Sequence, residues 1–131
     1  MILGGVLIGG SSRRMGRDKS TLRVEGRPMV DLVTAALAAH CASVHRLGRG
    51  GIPDLPGHHG PIAGVLAARR EVPEAWWVIA ACDMPRISSE AVQWLLSQRT
   101  PEQAIIMPRT PDGEVQPTFA LYGPGSEVLL D

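Results

Sequence analysis

Residues 2–22 read I-L-G-G-V-L-I-G-G-S-S-R-R-M-G-R-D-K-S-T-L, an apolar run joined to a basic, glycine-rich segment. The run Ile2–Ile8 is short and ends at Gly9-Gly10, as expected of a β-strand buried on both faces of a sheet. Three arginines and one lysine follow between residues 13 and 19. Glycine lets backbone amides approach a ligand closely, and the neighbouring side chains are cationic. The stretch therefore predicts a strand followed by an anion-binding loop.

Apolar runs alternate with helical patterns along the rest of the chain. Met29–Ala42 carries apolar side chains at helical spacing, and Trp76–Ala81 reads as a second buried strand. Ser88 or Ser89 is placed to cap a helix that runs through Gln98. The other predicted elements are strands at Val44–Leu47, Ala104–Met107 and Pro117–Tyr122, a helix at Ile62–Arg70 and a helix from Ser126. This alternation predicts one α/β domain over residues 1–131, a three-layer sandwich around a mostly parallel, Rossmann-like sheet.

Composition argues against several classes of function. The 13 basic and 13 acidic side chains cancel, so no global field favours nucleic acid or a membrane surface, and any anion site must be local. The N-terminal apolar run is too short for a signal peptide, and no segment has the length of a membrane span. Cys41 and Cys82 lie far apart without C-x-x-C spacing, which predicts reduced thiols in a cytoplasmic protein.

Two stretches fall at the carboxyl ends of predicted strands, where ligands bind in an open parallel sheet. One is the loop Gly9–Lys19, and the other is Cys82–Pro85. A phosphate ligand would explain the glycines and the cations of the first loop together. Neither common phosphate motif fits, however. G-x-G-x-x-G needs alternating glycines, and a Walker A loop needs Gly directly before Lys-Ser, whereas Arg17-Asp18 intervene here.

A longer signature does fit this loop. Residues 7–19 read L-I-G-G-S-S-R-R-M-G-R-D-K, which resembles the L-x-G-G-x-S-x-R-M-G-x-D-K signature of nucleotidyltransferases. The resemblance is to the molybdenum cofactor guanylyltransferases in particular (the molybdopterin-guanine dinucleotide biosynthesis protein A family). Similar segments follow in order at 26–29 (G-R-P-M), 60–64 (G-P-I-A-G), 82–85 (C-D-M-P) and 116–118 (Q-P-T). The second and third look like the guanylyl branch, since the related cytidylyltransferases tend to show G-M-x-x-S and D-Q-P there.

The resemblance implies a sheet of the nucleotide-diphospho-sugar transferase type, short at its C-terminal end. It also implies a reaction that moves GMP from GTP to the phosphate of metal-carrying molybdopterin and releases pyrophosphate. Positioning and charge neutralisation carry most of such catalysis. Lys19 and Arg14 would be catalytic, and Asp83 would hold Mg²⁺, a hard cation that suits a carboxylate. The residues implied to bind the nucleotide are Leu7, Gly9, Gly10, Ser11, Arg14, Gly16, Lys19 and Asp54.

Alternatives remain at each level. Not all of the loop arginines can touch phosphate, Asp83 could instead cap the next helix, and Asp54 lies in an irregular loop where lengths differ within the family. Adjacent His58 and His59 lack partners at metal-ligand spacing and are interpreted as surface residues. Transfer to another phosphate acceptor, by a cytidylyl or sugar-phosphate route, is the alternative reaction. A GTP-binding protein without turnover is the alternative class.

One departure from the family concerns the acceptor. Family members usually continue to an N-x-N-T-P segment that faces the acceptor, whereas this sequence contains no asparagine. We therefore expect GTP–Mg²⁺ binding but poor transfer by this chain alone. A second copy or another protein is expected to cover the shortened C-terminal edge of the sheet.

Overall fold

The computed structural model describes residues 1–8, 23–24, 27–48, 50–58, 60–84, 87–109, 113 and 118–130. Its strands are β1 (Ile2–Ile8), β2 (Arg23–Val24), β3 (Arg27–Pro28), β4 (Ser43–Gly48), β5 (Trp76–Ala81), β6 (Ile105–Ile106) and β7 (Phe119–Tyr122). Its helices are α1 (Met29–Ala38), α2 (Pro61–Glu71), α3 (Ser89–Ser97) and α4 (Ser126–Leu130). Within these segments, no helix combines the length and the apolarity needed to cross a membrane.

Five strands form one sheet in the order β4-β1-β5-β7-β6. Strand β1 lies between β4 and β5 and is parallel to both, whereas β7 runs antiparallel to its neighbours β5 and β6. The prediction of a mostly parallel sheet is confirmed, with β7 as the reversed strand. Strands β2 and β3 form a separate antiparallel pair that leads into α1.

Helices cover both faces of the sheet, as the predicted sandwich requires. On one face, α1 and α3 enclose a cluster that includes Val6, Val33 and Leu95. On the other face, α2 and α4 enclose a cluster that includes Leu7, Val65 and Trp77. Strand β1 contributes alternate side chains to both clusters, which explains why its sequence is an unbroken apolar run.

Element boundaries follow the sequence prediction with local differences. The Ser88 hydroxyl accepts from the amide of Ala91 at 3.1 Å, so Ser88 is the cap of α3. Helix α1 ends at Ala38, although the helical pattern continues to Ala42. The amide of Ala42 donates to the carbonyl of Ile2 at 2.9 Å, so this residue already pairs with the start of β1.

The far edge of the sheet is the two-residue strand β6. Its residues Ile105 and Ile106 are half-buried and pack against opposite core clusters. A covering partner at this edge, expected from the sequence, stays a prediction. Cys41 and Cys82 are not joined in a disulfide; Cys82 is buried and Cys41 half-buried.

Alkaline pH is expected to destabilise the fold over two overlapping ranges. Burial raises the pKa of Cys41 from 9.0 to about 11 and the pKa of Tyr122 from 10.0 to about 12. Each folded group holds its proton more tightly than the unfolded one. Its stabilisation is therefore complete below the unfolded pKa and is lost as pH rises to the folded pKa.

Near-ultraviolet absorbance of tyrosinate isolates the upper range, because the sequence contains one tyrosine. We expect the folded protein to ionise Tyr122 well above the pH at which the urea-unfolded chain does. The Tyr122→Phe variant should still lose stability from about pH 9 upward, because Cys41 is unchanged. It should not show the further loss at higher pH that Tyr122 causes in the native chain. Ionisation at the same pH in both states would contradict the burial argument.

Candidate functional site

The parallel strands place three chain segments at one edge of the sheet. The last register pair of β1 and β4 is Ile8 with Gly48, and Leu7 pairs with Ala81 at the end of β5. The amide of Cys82 donates to the carbonyl of Leu7 at 3.0 Å, which extends the pairing one residue past β5. The segments after β1, β4 and β5 therefore leave the sheet side by side. This is the carboxyl edge at which open α/β sheets bind ligands.

Asp83 lies at this edge and is exposed. It follows Cys82 directly, and the turn after it is closed by a bond from the amide of Met84 to the carbonyl of Ala81, 3.2 Å long. The amide of Ala81 also donates to the carbonyl of Thr118 at 2.9 Å, so the start of β7 borders the same point. The alternative that Asp83 caps α3 is not supported, because Ser88 holds that position. An exposed carboxylate is a donor type that Mg²⁺ accepts.

The loop after β4 doubles back on the strand before it reaches α2. The amide of Ile52 donates to the carbonyl of Arg46 at 2.8 Å, and the amide of Gly48 donates to the carbonyl of Ile52 at 2.7 Å. Gly51 is required in this turn, because a Cβ atom there would lie 2.1 Å from the carbonyl oxygen of Arg46. The irregular segment predicted from the sequence is thus tied to the end of β4.

Asp54 lies on the next part of this loop, beside the first turns of α2. The amide of Leu55 donates to the carbonyl of Ala63 at 3.3 Å, which joins the loop to that helix. Asp54 is exposed, and its Oδ1 lies 3.8 Å from the point where a Cβ of Gly64 would stand. The fold therefore holds Asp54 at the carboxyl edge rather than in a detached loop.

Gly64 brings Leu7 and Asp54 to the same part of α2. A Cβ on Gly64 would lie 2.7 Å from Cδ2 of Leu7, which is closer than side-chain carbons approach. The side chain of Leu7 is buried in the core cluster under α2, so Leu7 can face a ligand through its backbone only. Gly64 belongs to the G-P-I-A-G segment, but the sequence predicts no place for it in the site. An isolated glycine inside a helical pattern was the available signal.

Helix α2 directs its N-terminus at the same edge. Gly60 precedes it with a φ of 71°, in the left-handed region that favours glycine, and Pro61 occupies its first turn. Among the described residues, the cap position Gly60 offers no side-chain hydrogen bond to this end, and the first turn carries no acidic residue. The uncapped amides and the positive end of the helix dipole favour a negatively charged ligand there.

The remaining predicted site residues lie outside the described part of the chain. These are Gly9, Gly10, Ser11, Arg14, Gly16 and Lys19. Their roles stay predictions, although the loop that carries them leaves β1 at the edge described above. Among the described residues, no group of three or more His, Cys, Asp or Glu side chains could hold a metal by itself. Any cation at Asp83 would accordingly share its coordination with the substrate or with residues beyond the described set.

Comparison with known proteins agrees with this arrangement. The family model of the MobA-like NTP transferase domain matches residues 4–129. The chain belongs to this family.

Relatives of this MobA-like NTP transferase domain carry names that specify an activity. A protein of Pelotomaculum thermopropionicum named probable molybdenum cofactor guanylyltransferase is 34% identical over 93% of this chain. A molybdenum cofactor guanylyltransferase of Pseudomonas putida is 33% identical over 88%. The aligned part of this chain spans 63% and 67% of these two proteins, respectively.

Solved structures show the same fold. Molybdopterin-guanine dinucleotide biosynthesis protein A from Archaeoglobus fulgidus superposes with a TM-score of 0.73 at 23% identity. The superposition covers 99% of this chain and 71% of that protein. A five-stranded mixed sheet between helical layers is therefore shared with members of the MobA-like family.

Replacing Gly64 by alanine should destabilise this MobA-like domain by about 1 kcal/mol, although alanine is the better helix former. The added methyl group would displace the buried end of Leu7. Urea unfolding of Gly64→Ala, Leu7→Ala and the double variant would measure the coupling. We expect the alanine at position 64 to cost less when residue 7 is already small. Equal costs in both backgrounds would show that Leu7 is not the obstacle.

Proposed function

We propose that this chain transfers GMP from GTP to the phosphate of molybdopterin and releases pyrophosphate. The observation that carries the proposal lies at the carboxyl edge of the sheet. There the chain segments that carry the Gly9–Lys19 loop, Asp54 and Asp83 leave three neighbouring strands. The names of relatives that align over about nine tenths of this chain support GTP and the molybdenum cofactor as substrates. We propose that the reaction takes place in the cytoplasm.

The chemistry needs no protein nucleophile. An oxygen of the acceptor phosphate attacks the α-phosphorus of GTP, and the bond from that phosphorus to the bridging oxygen breaks. Pyrophosphate leaves with the electron pair. Catalysis then depends on alignment and on stabilising the charge that develops on the leaving group. Lys19, Arg14 and the backbone amides of the Gly9–Lys19 loop are proposed to hold the triphosphate.

Asp83 is proposed to hold Mg²⁺ together with phosphate oxygens. When bound, this cation would supply charge neutralisation between the triphosphate oxygens. The exposed carboxylate after a buried strand fits this donor set. Because Asp83 follows β5 closely, its backbone position is fixed, which favours one metal position over several.

Asp54 is proposed to lie on the nucleoside side of the site. Its loop is fixed to β4 through Arg46 and Ile52 and to α2 through Ala63. A carboxylate held beside Gly64 can accept two hydrogen bonds from the N1 and N2 donors of guanine. Cytosine presents a single exocyclic amino donor, so this pairing would favour GTP over CTP.

The test uses the purified chain with each α-labelled nucleoside triphosphate, Mg²⁺ and molybdopterin that carries molybdate. We expect label in a dinucleotide product, and pyrophosphate release, with GTP and not with CTP, at the low rate expected of this chain alone. Pyrophosphate release that requires a sugar phosphate would show a different acceptor. Pyrophosphate release with CTP would show a different nucleotide. Tight GTP–Mg²⁺ binding without pyrophosphate release would show a nucleotide-binding protein without turnover.

A further inference from the structure

A groove lies on the α2–α4 side of the molecule. It has a volume of about 460 Å³ and includes Leu55, Leu66 and Val128 among its lining residues. Val128 is 79% exposed, so an aliphatic side chain at the groove is left uncovered. Arg70 is exposed and also lines it, so one side of this apolar groove is cationic.

A complementary projection lies on α3, on the opposite face of the sheet. Trp94 is 52% exposed, although tryptophan is usually covered in folded proteins. Glu90 is exposed one helical turn earlier and lies on the same side of the helix. The outer face of α3 therefore offers a large apolar side chain with a carboxylate next to it.

We propose that this chain self-associates head to tail, with Trp94 of one copy seated in the α2–α4 groove of the next. Apolar contact with Val128 and Leu66 would cover the indole, and Glu90 would lie near Arg70 of the neighbouring copy. The groove and the projection lie on opposite faces of the sheet. The contact is therefore heterologous, and a pair of copies keeps one free groove on one copy and one free tryptophan on the other. This proposal does not depend on the transferase activity.

The first test is sedimentation of the chain over a range of concentrations. One tryptophan and its surroundings make a small interface, so association is expected at roughly 0.1–1 mM protein. Trp94→Ala should weaken association by about tenfold or more, because buried tryptophans dominate the energetics of such contacts. Gln93→Ala, an exposed neighbour on α3, is the matched control and should leave it unchanged.

The groove has its own matched pair of variants. Val128→Arg should abolish association, because it places a charged side chain where the indole would sit. Leu129→Arg should not, since Leu129 is 68% exposed but is not among the described residues that line the groove. Circular dichroism and melting temperature should be unchanged in both, because both side chains face solvent.

Mixing the two defective variants decides the geometry. Trp94→Ala keeps the groove and Val128→Arg keeps the tryptophan, so an equimolar mixture should form dimers that cannot grow further. A monomeric native chain throughout the range would overturn the proposal. If Leu129→Arg weakens association as much as Val128→Arg does, the groove is not where Trp94 binds. A mixture that stays monomeric while the native chain associates would overturn the head-to-tail contact.

Discussion

The Lys19→Ala variant is expected to transfer GMP about two to three orders of magnitude more slowly than the native chain. This lysine ends the signature loop and is the one lysine in the sequence. Removing one preorganised charge-stabilising group costs about this factor in other enzymes. Steady-state pyrophosphate release at saturating GTP and Mg²⁺ measures the loss.

A matched cation at the opposite end of the sheet controls for the change in net charge. Arg99 is exposed and lies near Trp76, the first residue of β5. Arg99→Ala should leave pyrophosphate release within about twofold of the native rate, since exposed charges more than a Debye length apart are largely screened. The melting temperature of Lys19→Ala should match that of the native chain. A melting temperature that collapses while GTP binding persists would show that Lys19 is structural.

Much of the fold could be predicted because local patterns and tertiary packing agree. Val6 and Leu7 belong to opposite core clusters, so the apolar run that predicts β1 reflects burial on both faces. Ser88 combines a capping side chain with the helical pattern that follows it. Where the pattern failed, at residues 39–42, a longer-range bond decided the outcome. Ala42 pairs with Ile2, forty positions away in the chain, and no periodicity reports such a contact.

The sequence predicts where the site lies in the sheet, but it does not predict the contacts that hold the site residues in place. Asp83 follows a recognisable buried strand, and the rule for parallel sheets then places it at the ligand-binding edge. Asp54 could not be placed in this way, because its loop has no regular pattern. Its position depends on the bond between Leu55 and Ala63 and on the space left by Gly64. Both are contacts between segments that only the folded chain brings together.

The Asp83→Asn variant is expected to lose the Mg²⁺ dependence of GTP binding and most of its transfer activity. The substitution keeps the shape of the side chain and removes the charge that attracts the cation. We expect transfer to fall by roughly two orders of magnitude or more, since metal-bound phosphate oxygens contribute several kcal/mol to such reactions. GTP binding measured without Mg²⁺ should change little, because Lys19 and the loop amides do not require the carboxylate.

Two carboxylates make the test specific to Asp83. Glu74 is exposed two residues before the start of β5, so Glu74→Gln removes the same charge at the other end of the same strand and should leave the Mg²⁺ dependence intact. Asp54→Asn should weaken GTP binding while its Mg²⁺ dependence persists, because that side chain is proposed to face the base. Calorimetric titration of GTP at several Mg²⁺ concentrations separates the three variants. Native-like Mg²⁺ dependence in Asp83→Asn would place the cation at another residue, and its loss in Asp54→Asn would identify that residue.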